Sequence, residues 1–187
     1  MSEPTGVPAA TTTRDRLYWA SIVVVLVADV LTKRWAERAL QLHLPVDVFA
    51  PWLRWTLTYN TGAAMNLSLG GASRVVFSLI ALGMVVYLFR LLRESPAHAR
   101  ATPLALGLIT AGAIGNLIDR LRHTRGVVDF IDVGTAGWRF WTFNVADMGV
   151  TTGAILLALI LWREGDPVAN VPASDPSSPS PADDPAS

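Results

Sequence analysis

Four apolar segments of spanning length restrict what this chain can fold into more than any other feature. They cover residues 17–35, 75–92, 103–121 and 145–162, and a helix needs roughly 20 mostly apolar residues to cross the hydrocarbon core of a bilayer. The mean hydropathy of +0.39 is too high for an ordinary soluble domain. The sequence therefore predicts a mainly α membrane protein with four transmembrane helices. An even number of spans places both termini on the same side of the membrane.

The first segment has an alternative interpretation as a secretory signal peptide, because Arg14 and Arg16 precede its apolar run. Such a peptide ends in a cleavage site made of small residues. No clear site of that kind follows, and Lys33 and Arg34 close the run instead. We therefore interpret residues 17–35 as a membrane span.

The two ends of the chain have a composition that is typical of disorder. Residues 1–13 are rich in Pro, Thr and Ala, and residues 165–187 combine six prolines with Ser and Asp but contain no Lys or Arg. Segments of this kind cannot bury enough apolar surface to fold. We predict that both are disordered and that residues 14–164 form the four-helix domain.

Two loops between the spans, predicted on the same side of the membrane, contain strand-like patterns. Residues 53–60 alternate apolar and polar side chains, a period of two that is typical of a strand. Residues 127–133 form a second predicted strand, followed by a turn at 134–137 and a return strand at 138–143. We therefore predict a small β-sheet on the membrane surface. Four tryptophans in these loops fit an interfacial aromatic belt. They are Trp52, Trp55, Trp138 and Trp141.

Three polar clusters have helical spacing and lie at the span ends that face these loops. Residues three and four apart share one face of a helix. Asp29 with Lys33, and Asp119 with Arg120, could form local charge pairs. We interpret Asp29 and Asp119 as supporting or orienting groups. The clusters are Asp29-Thr32-Lys33, Asn116-Asp119-Arg120 and Asn144-Asp147.

Asp129 and Asp147 differ from the other two acids, because no Lys or Arg lies three or four residues from either on a predicted helix. A carboxylate at the edge of hydrocarbon is costly and marks a functional site by default. Burial raises the pKa of a carboxyl group, and a second carboxylate nearby raises that of one member of a pair further. One aspartate could then act as a base toward water while the other donates a proton. The residues therefore predict a catalytic carboxyl dyad.

Two short motifs have ordinary structural interpretations beside functional ones. The Asn-Thr-Gly-Ala-Ala sequence from Asn60 to Ala64 could donate hydrogen bonds to a substrate carbonyl, or it could be a plain turn. The small residues from Gly112 to Gly115 permit close helix approach. That packing would bring Asn116 and Asp119 toward the centre of the bundle.

The composition excludes or disfavours several site chemistries. The chain has no cysteine, which excludes disulfides, thiolate nucleophiles and cysteine-based metal sites. Its three histidines form no His-x-x-x-His pair, so a zinc protease is disfavoured. The formal net charge is zero, without the basic footprint of a nucleic-acid-binding protein. We expect no cofactor, no metal and no nucleic-acid partner.

Five of these motifs, in this order among four spans, resemble the bacterial lipoprotein signal peptidases, also called signal peptidase II. The similarity covers nearly the whole predicted domain, from Asp29 to about Gly153. Two positions depart from the usual family pattern, Met65 in place of Phe and Ala111 in place of Gly, and both keep a suitable size and polarity. The motifs are Asp29-Val-Leu-Thr32-Lys33, Asn60-Thr-Gly-Ala-Ala64, Gly112-Ala-Ile-Gly-Asn116-Leu-Ile-Asp119-Arg120, Val127-Val-Asp129-Phe130 and Phe143-Asn144-Val-Ala-Asp147.

The resemblance implies an aspartic endopeptidase that removes the signal peptide from diacylglyceryl-modified prolipoproteins, cutting just before the lipidated cysteine. Asp129 and Asp147 match the catalytic dyad of the family. The implied partners are the prolipoprotein substrates and membrane lipid, and we expect a monomer. The positions that match supporting or substrate-binding residues are Asp29, Lys33, Asn60, Asn116, Asp119, Arg120 and Asn144.

The resemblance also implies a multi-pass protein of the bacterial cytoplasmic (inner) membrane, with cytoplasmic termini, an extracytoplasmic sheet and an active site near the outer leaflet. Charge alone indicates the opposite orientation. The side with the termini carries six Lys and Arg residues and the side with the two long loops carries nine, whereas cytoplasmic loops normally carry the excess. We follow the resemblance here.

Two other functions are compatible with intramembrane acids. A small transporter or proton-relay subunit would use them as carriers, but the acids cluster at one membrane face and no span is broken at its midplane. A non-catalytic assembly factor would bind a partner span through the small residues of the third segment, and it would tolerate replacement of the aspartates.

Overall fold

The computed structural model describes residues 12–62 and 72–164, which form a helical bundle with a small sheet at one end. Most of the segments predicted to be disordered, and Ala63, Ala64 and Met65, lie outside these ranges. Thr13, which we assigned to the N-terminal segment, already begins the first helix. The elements in chain order are α1 (Thr13–Ala39), β1 (Val46–Phe49), β2 (Leu53–Asn60), α2 (Ser73–Glu94), α3 (Ala101–Arg122), β3 (Val127–Val133) and α4 (Val145–Glu164).

Each of the four apolar segments is helical, and each helix extends a few residues beyond its apolar run. Three of the helices, α2, α3 and α4, are long and apolar enough to cross a membrane by length and composition. Helix α1 is longer still, with 27 residues, but Asp29, Lys33 and Arg34 interrupt its apolar stretch. The chain is thus a mainly helical protein with three apolar helices of spanning length in the described part.

Helix α3 lies at the centre of the bundle and packs against α1, α2 and α4. Of its apolar stretch 44% is buried, compared with 11% for α2 and 17% for α4. Small residues make this packing possible, because Gly112 of α3 lies against the carbonyl oxygen of Ala146 and the side chain of Val150. Gly115, one turn nearer the sheet, lies against the carboxylate of Asp29. The glycine motif therefore brings the polar ends of three helices together.

The sheet has three antiparallel strands in the order β1-β2-β3. Strands β2 and β3 cover the predicted strand segments, and their register pairs Thr58 with Asp129 and Asn60 with Val127. An apolar cluster that includes Ala36 of α1 and Phe130 of β3 fixes the sheet on the end of α1. This packing places Asp129 above the helix bundle. The short edge strand β1 was not predicted.

The predicted return strand at 138–143 is wrong. The segment makes only isolated bridges to β3, at Ile131–Phe143 and Gly134–Arg139. The side chain of Arg139 turns away to donate to Asp132 at 2.6 Å and to the carbonyl of Pro51 at 2.9 Å. The segment is therefore held by side-chain bonds and scattered backbone bonds, and it forms no continuous ladder.

The four tryptophans of the predicted belt do not form one class. Trp52, Trp138 and Trp141 are exposed, with 51–63% of their surface accessible. Trp55 is half-buried and makes an edge-to-face contact with Trp35 of α1, with ring centroids 5.6 Å apart. Trp55 therefore fastens the sheet to the bundle, and the other three are free to contact the membrane interface.

The packing of α3 on α4 predicts that Gly112→Ala destabilises the protein. A methyl group at Gly112 would overlap the Ala146 carbonyl, and overpacking of this kind costs about 1–3 kcal/mol. Gly83 of α2 is the matched control, because an added methyl group there meets nothing within 4 Å. In thermal unfolding of the detergent-solubilised protein, Gly112→Ala should lower the midpoint, and Gly83→Ala should keep or raise it. Equal midpoints for both variants would contradict this packing.

Candidate active site

Asp129 and Asp147 both line one cavity of about 560 Å³, formed where the sheet meets the helix ends. Asp129 comes from the middle of β3 and Asp147 from the first turn of α4. The other residues of the wall come from β2, β3, α3, α4 and the segment before α4. They are Thr58, Tyr59, Asn60, Asn116, Arg120, Val127, Phe140, Trp141, Thr142, Phe143, Val150 and Thr151.

Asn144 joins the two aspartates. It is completely buried, and its side-chain amide donates to Oδ1 of Asp129 at 2.7 Å. Its backbone N–H donates to Oδ2 of Asp147 at 3.2 Å, and the N–H of Asp147 donates back to Oδ1 of Asn144 at 2.9 Å. These reciprocal bonds form a capping box at the start of α4. The same helix cap that begins α4 therefore holds Asp147 and reaches Asp129.

Asn116 of α3 holds the second oxygen of Asp147. Its amide nitrogen donates to Oδ1 of Asp147 at 2.8 Å. The carbonyl oxygen of the same side chain accepts bonds from Asn144 at 3.1 Å and from Lys33 at 3.0 Å. Both oxygens of Asp147 thus accept a hydrogen bond.

Asp129 lies in a different environment. Asp129 is only 3% exposed on its strand. Burial has the largest effect and the negative charge of Asp147 the next largest, and together they raise the pKa of Asp129 to about 7. Hydrogen bonds from Asn144 and Asn60 and the positive charge of Lys33 act in the opposite direction. Asp129 is therefore partly protonated near neutral pH, where an ordinary aspartate has lost its proton.

Asp29, Lys33 and Asp119 form a buried charge cluster directly behind the cavity. The ammonium of Lys33 lies 2.8 Å from a carboxylate oxygen of Asp29 and 2.8 Å from one of Asp119. Asp29 also accepts the backbone N–H of Ala146 at 2.8 Å, and Asp119 accepts that of Val128 at 3.2 Å. The pair that the sequence suggested between Asp29 and Lys33 is present.

The suggested pair between Asp119 and Arg120 is wrong. Neighbouring residues on a helix point in directions about 100° apart, so Asp119 turns toward Lys33 and Arg120 turns toward the cavity. Arg120 donates to the backbone carbonyls of Asn116 at 3.2 Å and Gly62 at 3.1 Å. Its Nε has no hydrogen-bond partner in the described part of the chain. Arg120 therefore brings an incompletely satisfied cation to the cavity wall.

The start of the Asn60 motif is both a turn and part of the site. Oδ1 of Asn60 accepts the N–H of Gly62 at 2.9 Å, as in an Asx-turn, and the residue also lines the cavity and bonds to Asp129. The two interpretations of the motif are therefore compatible. Ala63 and Ala64 lie outside the described residues.

The aromatic wall of the cavity was missed by the sequence analysis. Phe140, Trp141 and Phe143 line the cavity beside the aspartates, although we assigned Trp141 only to an interfacial belt. Tyr59 was seen only as a strand residue, yet it also lines the cavity and donates to Glu37 at 3.0 Å. The one available signal was that three of these residues lie within four positions of Asn144 in the chain.

Comparison with known proteins gives one consistent family. The model of the signal peptidase (SPase) II family matches residues 21–163. The lipoprotein signal peptidase of Pseudomonas syringae pv. tomato is 42% identical over 162 residues, which cover 81% of this chain and 90% of that protein. The lipoprotein signal peptidase of Hydrogenovibrio crunogenus is 39% identical over 143 residues, or 75% of this chain and 81% of that protein.

Solved structures agree with the sequence relatives. A bacterial membrane enzyme determined at 2.3 Å resolution superposes with a TM-score of 0.71 and 29% sequence identity, covering 79% of this chain and 88% of that chain. A second, determined at 1.9 Å resolution, has a TM-score of 0.70 and 30% identity, covering 79% of this chain and 93% of that chain.

The raised pKa of Asp129 predicts an unusual pH dependence of stability. The folded protein keeps the Asp129 proton up to about pH 7, whereas an unperturbed aspartate loses it near 3.8. Because the folded state then binds the extra proton, its free energy of unfolding should fall as the pH rises through this interval. The free energy of unfolding of the wild type should fall by on the order of 4 kcal/mol more than that of Asp129→Asn.

Unfolding of both proteins in detergent from pH 4 to pH 8 measures this difference. The exposed carboxylate variant Asp47→Asn controls for the simple loss of an aspartate. If the free energy of unfolding of the wild type and that of Asp129→Asn change with pH in the same way across the interval, Asp129 has an ordinary pKa.

Proposed function

We propose, from the premise that this chain belongs to the signal peptidase II family of proteases, that it removes the signal peptide from prolipoproteins. The cut lies just before a diacylglyceryl-modified cysteine, and Asp129 and Asp147 form the catalytic dyad. One observation carries the dyad proposal. Two carboxylates from different elements face one cavity and are joined through a single buried side chain, that of Asn144.

The proposed chemistry is direct attack of water on the scissile peptide bond. Ionised Asp147 takes a proton from the water, and protonated Asp129 donates a hydrogen bond to the scissile carbonyl and later helps to protonate the leaving amine. The two environments support this division of roles. Asp147 accepts hydrogen bonds on both oxygens, and burial raises the pKa of Asp129 to about 7.

Arg120 and Asn60 are the proposed donors to the substrate. Both line the cavity, and Arg120 brings a positive charge to its wall. A cation and an amide at this place would stabilise the oxyanion that develops during attack.

We propose that α1 is the fourth transmembrane helix. Its outward side chains are apolar and exposed, with accessible fractions of 58% for Val23, 67% for Val24 and 59% for Leu31. Its charged residues Asp29 and Lys33 are buried against the rest of the bundle as an ion pair. A neutralised inward face and an apolar outward face are what a lipid-exposed helix requires.

Several cations on the sheet side have structural roles. Of the nine cations on the sheet side, Lys33, Arg54 and Arg139 are bound to acids, and Arg120 faces the cavity. Five other cations remain on that side. Five also remain of the six on the side of the termini, because Arg14 is bound to an acid. The positive-inside rule counts Lys and Arg whether or not acids pair with them, so charge does not support the orientation. Our proposal of cytoplasmic termini in the bacterial inner membrane, an extracytoplasmic sheet and an active site near the outer leaflet rests on the family to which the chain belongs.

The remaining parts of the proposal concern the substrate and the assembly. The apolar outer surfaces of the helices suit a lipid-modified substrate that enters from the bilayer, with membrane lipid around it. We propose that residues 14–164 carry the activity as a monomer.

The dyad predicts that Asp129→Asn and Asp147→Asn each lower cleavage of a diacylated lipopeptide by roughly 10³-fold or more, because one proton-transfer group is lost. Turnover by purified protein in detergent measures this, with size-exclusion behaviour as the test of folding. Asp47→Asn is the control and should keep wild-type turnover, and a chelator should change no rate. Near-normal turnover by either dyad variant would overturn the assignment.

The orientation predicts opposite labelling of two single-cysteine variants, since the chain has no cysteine of its own. Gly137→Cys lies in the turn after β3, where an added side chain meets nothing within 4 Å. Ala97→Cys lies in the exposed connection between α2 and α3. A membrane-impermeant maleimide added to intact spheroplasts should label the first variant, and the second only after lysis. The reverse pattern would invert the topology.

A further inference from the structure

Lys33 is the only buried Lys or Arg residue in the described part of the chain. Lys33 is only 3% exposed, and its Nζ has three acceptors, one for each of its three hydrogens. They are Asp29 at 2.8 Å, Asp119 at 2.8 Å and the side-chain oxygen of Asn116 at 3.0 Å. Lys33 does not line the cavity, so it has no direct contact with a substrate there.

Each of these acceptors leads to one of the two aspartates of the cavity. Asp29 binds the backbone N–H of Ala146, the residue before Asp147. Asp119 binds the backbone N–H of Val128, the residue before Asp129. The third acceptor, Asn116, binds the Asp147 side chain itself. The ammonium thus lies one intervening side chain away from the Asp147 carboxylate and from the backbone of the residue before each aspartate.

The chemistry of Lys33 decides which way the Asn116 amide faces. An ammonium group has three donors and no acceptor, so the Asn116 atom that meets it must be the oxygen. The amide nitrogen must then point to Asp147, where it donates at 2.8 Å. Reversal of the amide would bring its oxygen against the Asp147 carboxylate, with no hydrogen between them.

Asn144 alone is a weaker guide for the Asn116 amide. Its two amide hydrogens are shared among three acceptors, Asp129 at 2.7 Å, Asn116 at 3.1 Å and the carbonyl of Val128 at 3.2 Å. The shortest of these bonds goes to Asp129. A charge-assisted bond from Lys33 is about twice as strong as a neutral one, so Lys33 dominates the orientation of Asn116.

We propose that Lys33 is a positioning residue for the aspartic dyad, which turns the Asn116 amide toward Asp147 and thereby holds Asp147 ready to accept a proton from water. This inference rests on the proposed function of Asp147 as the base. It assigns Lys33 an effect on the chemical step and none on substrate binding, since the residue lies outside the cavity wall.

The test is the effect of Lys33→Met on turnover of a diacylated lipopeptide by the full chain in detergent. We expect kcat to fall on the order of 10- to 100-fold, as for the loss of a directly coupled neighbour, with KM changed less than about two-fold because only the chemical step is affected. Arg34→Met is the matched control, because Arg34 is the next residue and is exposed. It should keep both constants.

A double-mutant cycle separates positioning from general damage to the fold. If Lys33 acts through Asn116, then Lys33→Met in an Asn116→Ala background should cost clearly less than in the wild type. The proposal would be overturned if the loss of kcat in the double variant equalled the product of the losses in Lys33→Met and Asn116→Ala. An unchanged kcat in a folded Lys33→Met protein would also overturn it. Activity retained by Asp147→Asn would instead refute the proposed function itself.

A second variant keeps the test decisive if Lys33→Met does not fold. The double replacement Lys33→Met with Asp29→Asn removes one positive and one negative charge and so leaves the net charge of the cluster unchanged. The amide oxygen that Asp29→Asn introduces can still accept the Ala146 N–H. This protein should fold and show the same loss of kcat at similar KM, and a wild-type kcat would overturn the proposal.

Discussion

The burial of charge at the junction between the helices and the sheet is the constraint on which the rest of the structure depends. A buried ion without partners costs several kcal/mol, so each charged group there must be matched by groups from other elements. Lys33 of α1 meets Asp119 of α3, and Asp29 of α1 meets the first turn of α4. Asp119 also holds the start of β3. Four elements are therefore fastened at one point, directly behind the cavity.

The same junction gives two aspartates of one chain unlike surroundings. Asp147 is part of the capping box of α4 and lies at a helix N-terminus, where the helix dipole favours negative charge. Asp129 lies on a buried strand, where desolvation raises its pKa to about 7. Pairs of titratable groups held in contrasting environments are the usual basis for dividing acid and base roles. The contrast supports the proposed water-mediated cleavage of a prolipoprotein by this family member.

Local patterns predicted elements well where one physical signal dominated. Apolar length predicted the four helices, and the alternation over residues 53–60 predicted β2. The return strand at 138–143 failed because its backbone makes only isolated bridges, at Arg139 and Phe143, which local propensity does not reveal. The pairing of Asp119 with Arg120 failed because adjacent helical residues point apart. Short strand β1 has no buried face, so it left no clear pattern in the sequence.

The sequence by itself determined that the chain has four long helices, and it identified the acids whose burial would be costly. Those properties follow from hydropathy and spacing along the chain. Only the tertiary structure decided that Asp129 and Asp147 face one cavity, that Lys33 bridges Asp29 and Asp119, and that Phe140 and Trp141 wall the site. These contacts join residues from separate elements. They exist because close packing of α3 on α1 and α4 brings those elements together, which local sequence does not specify.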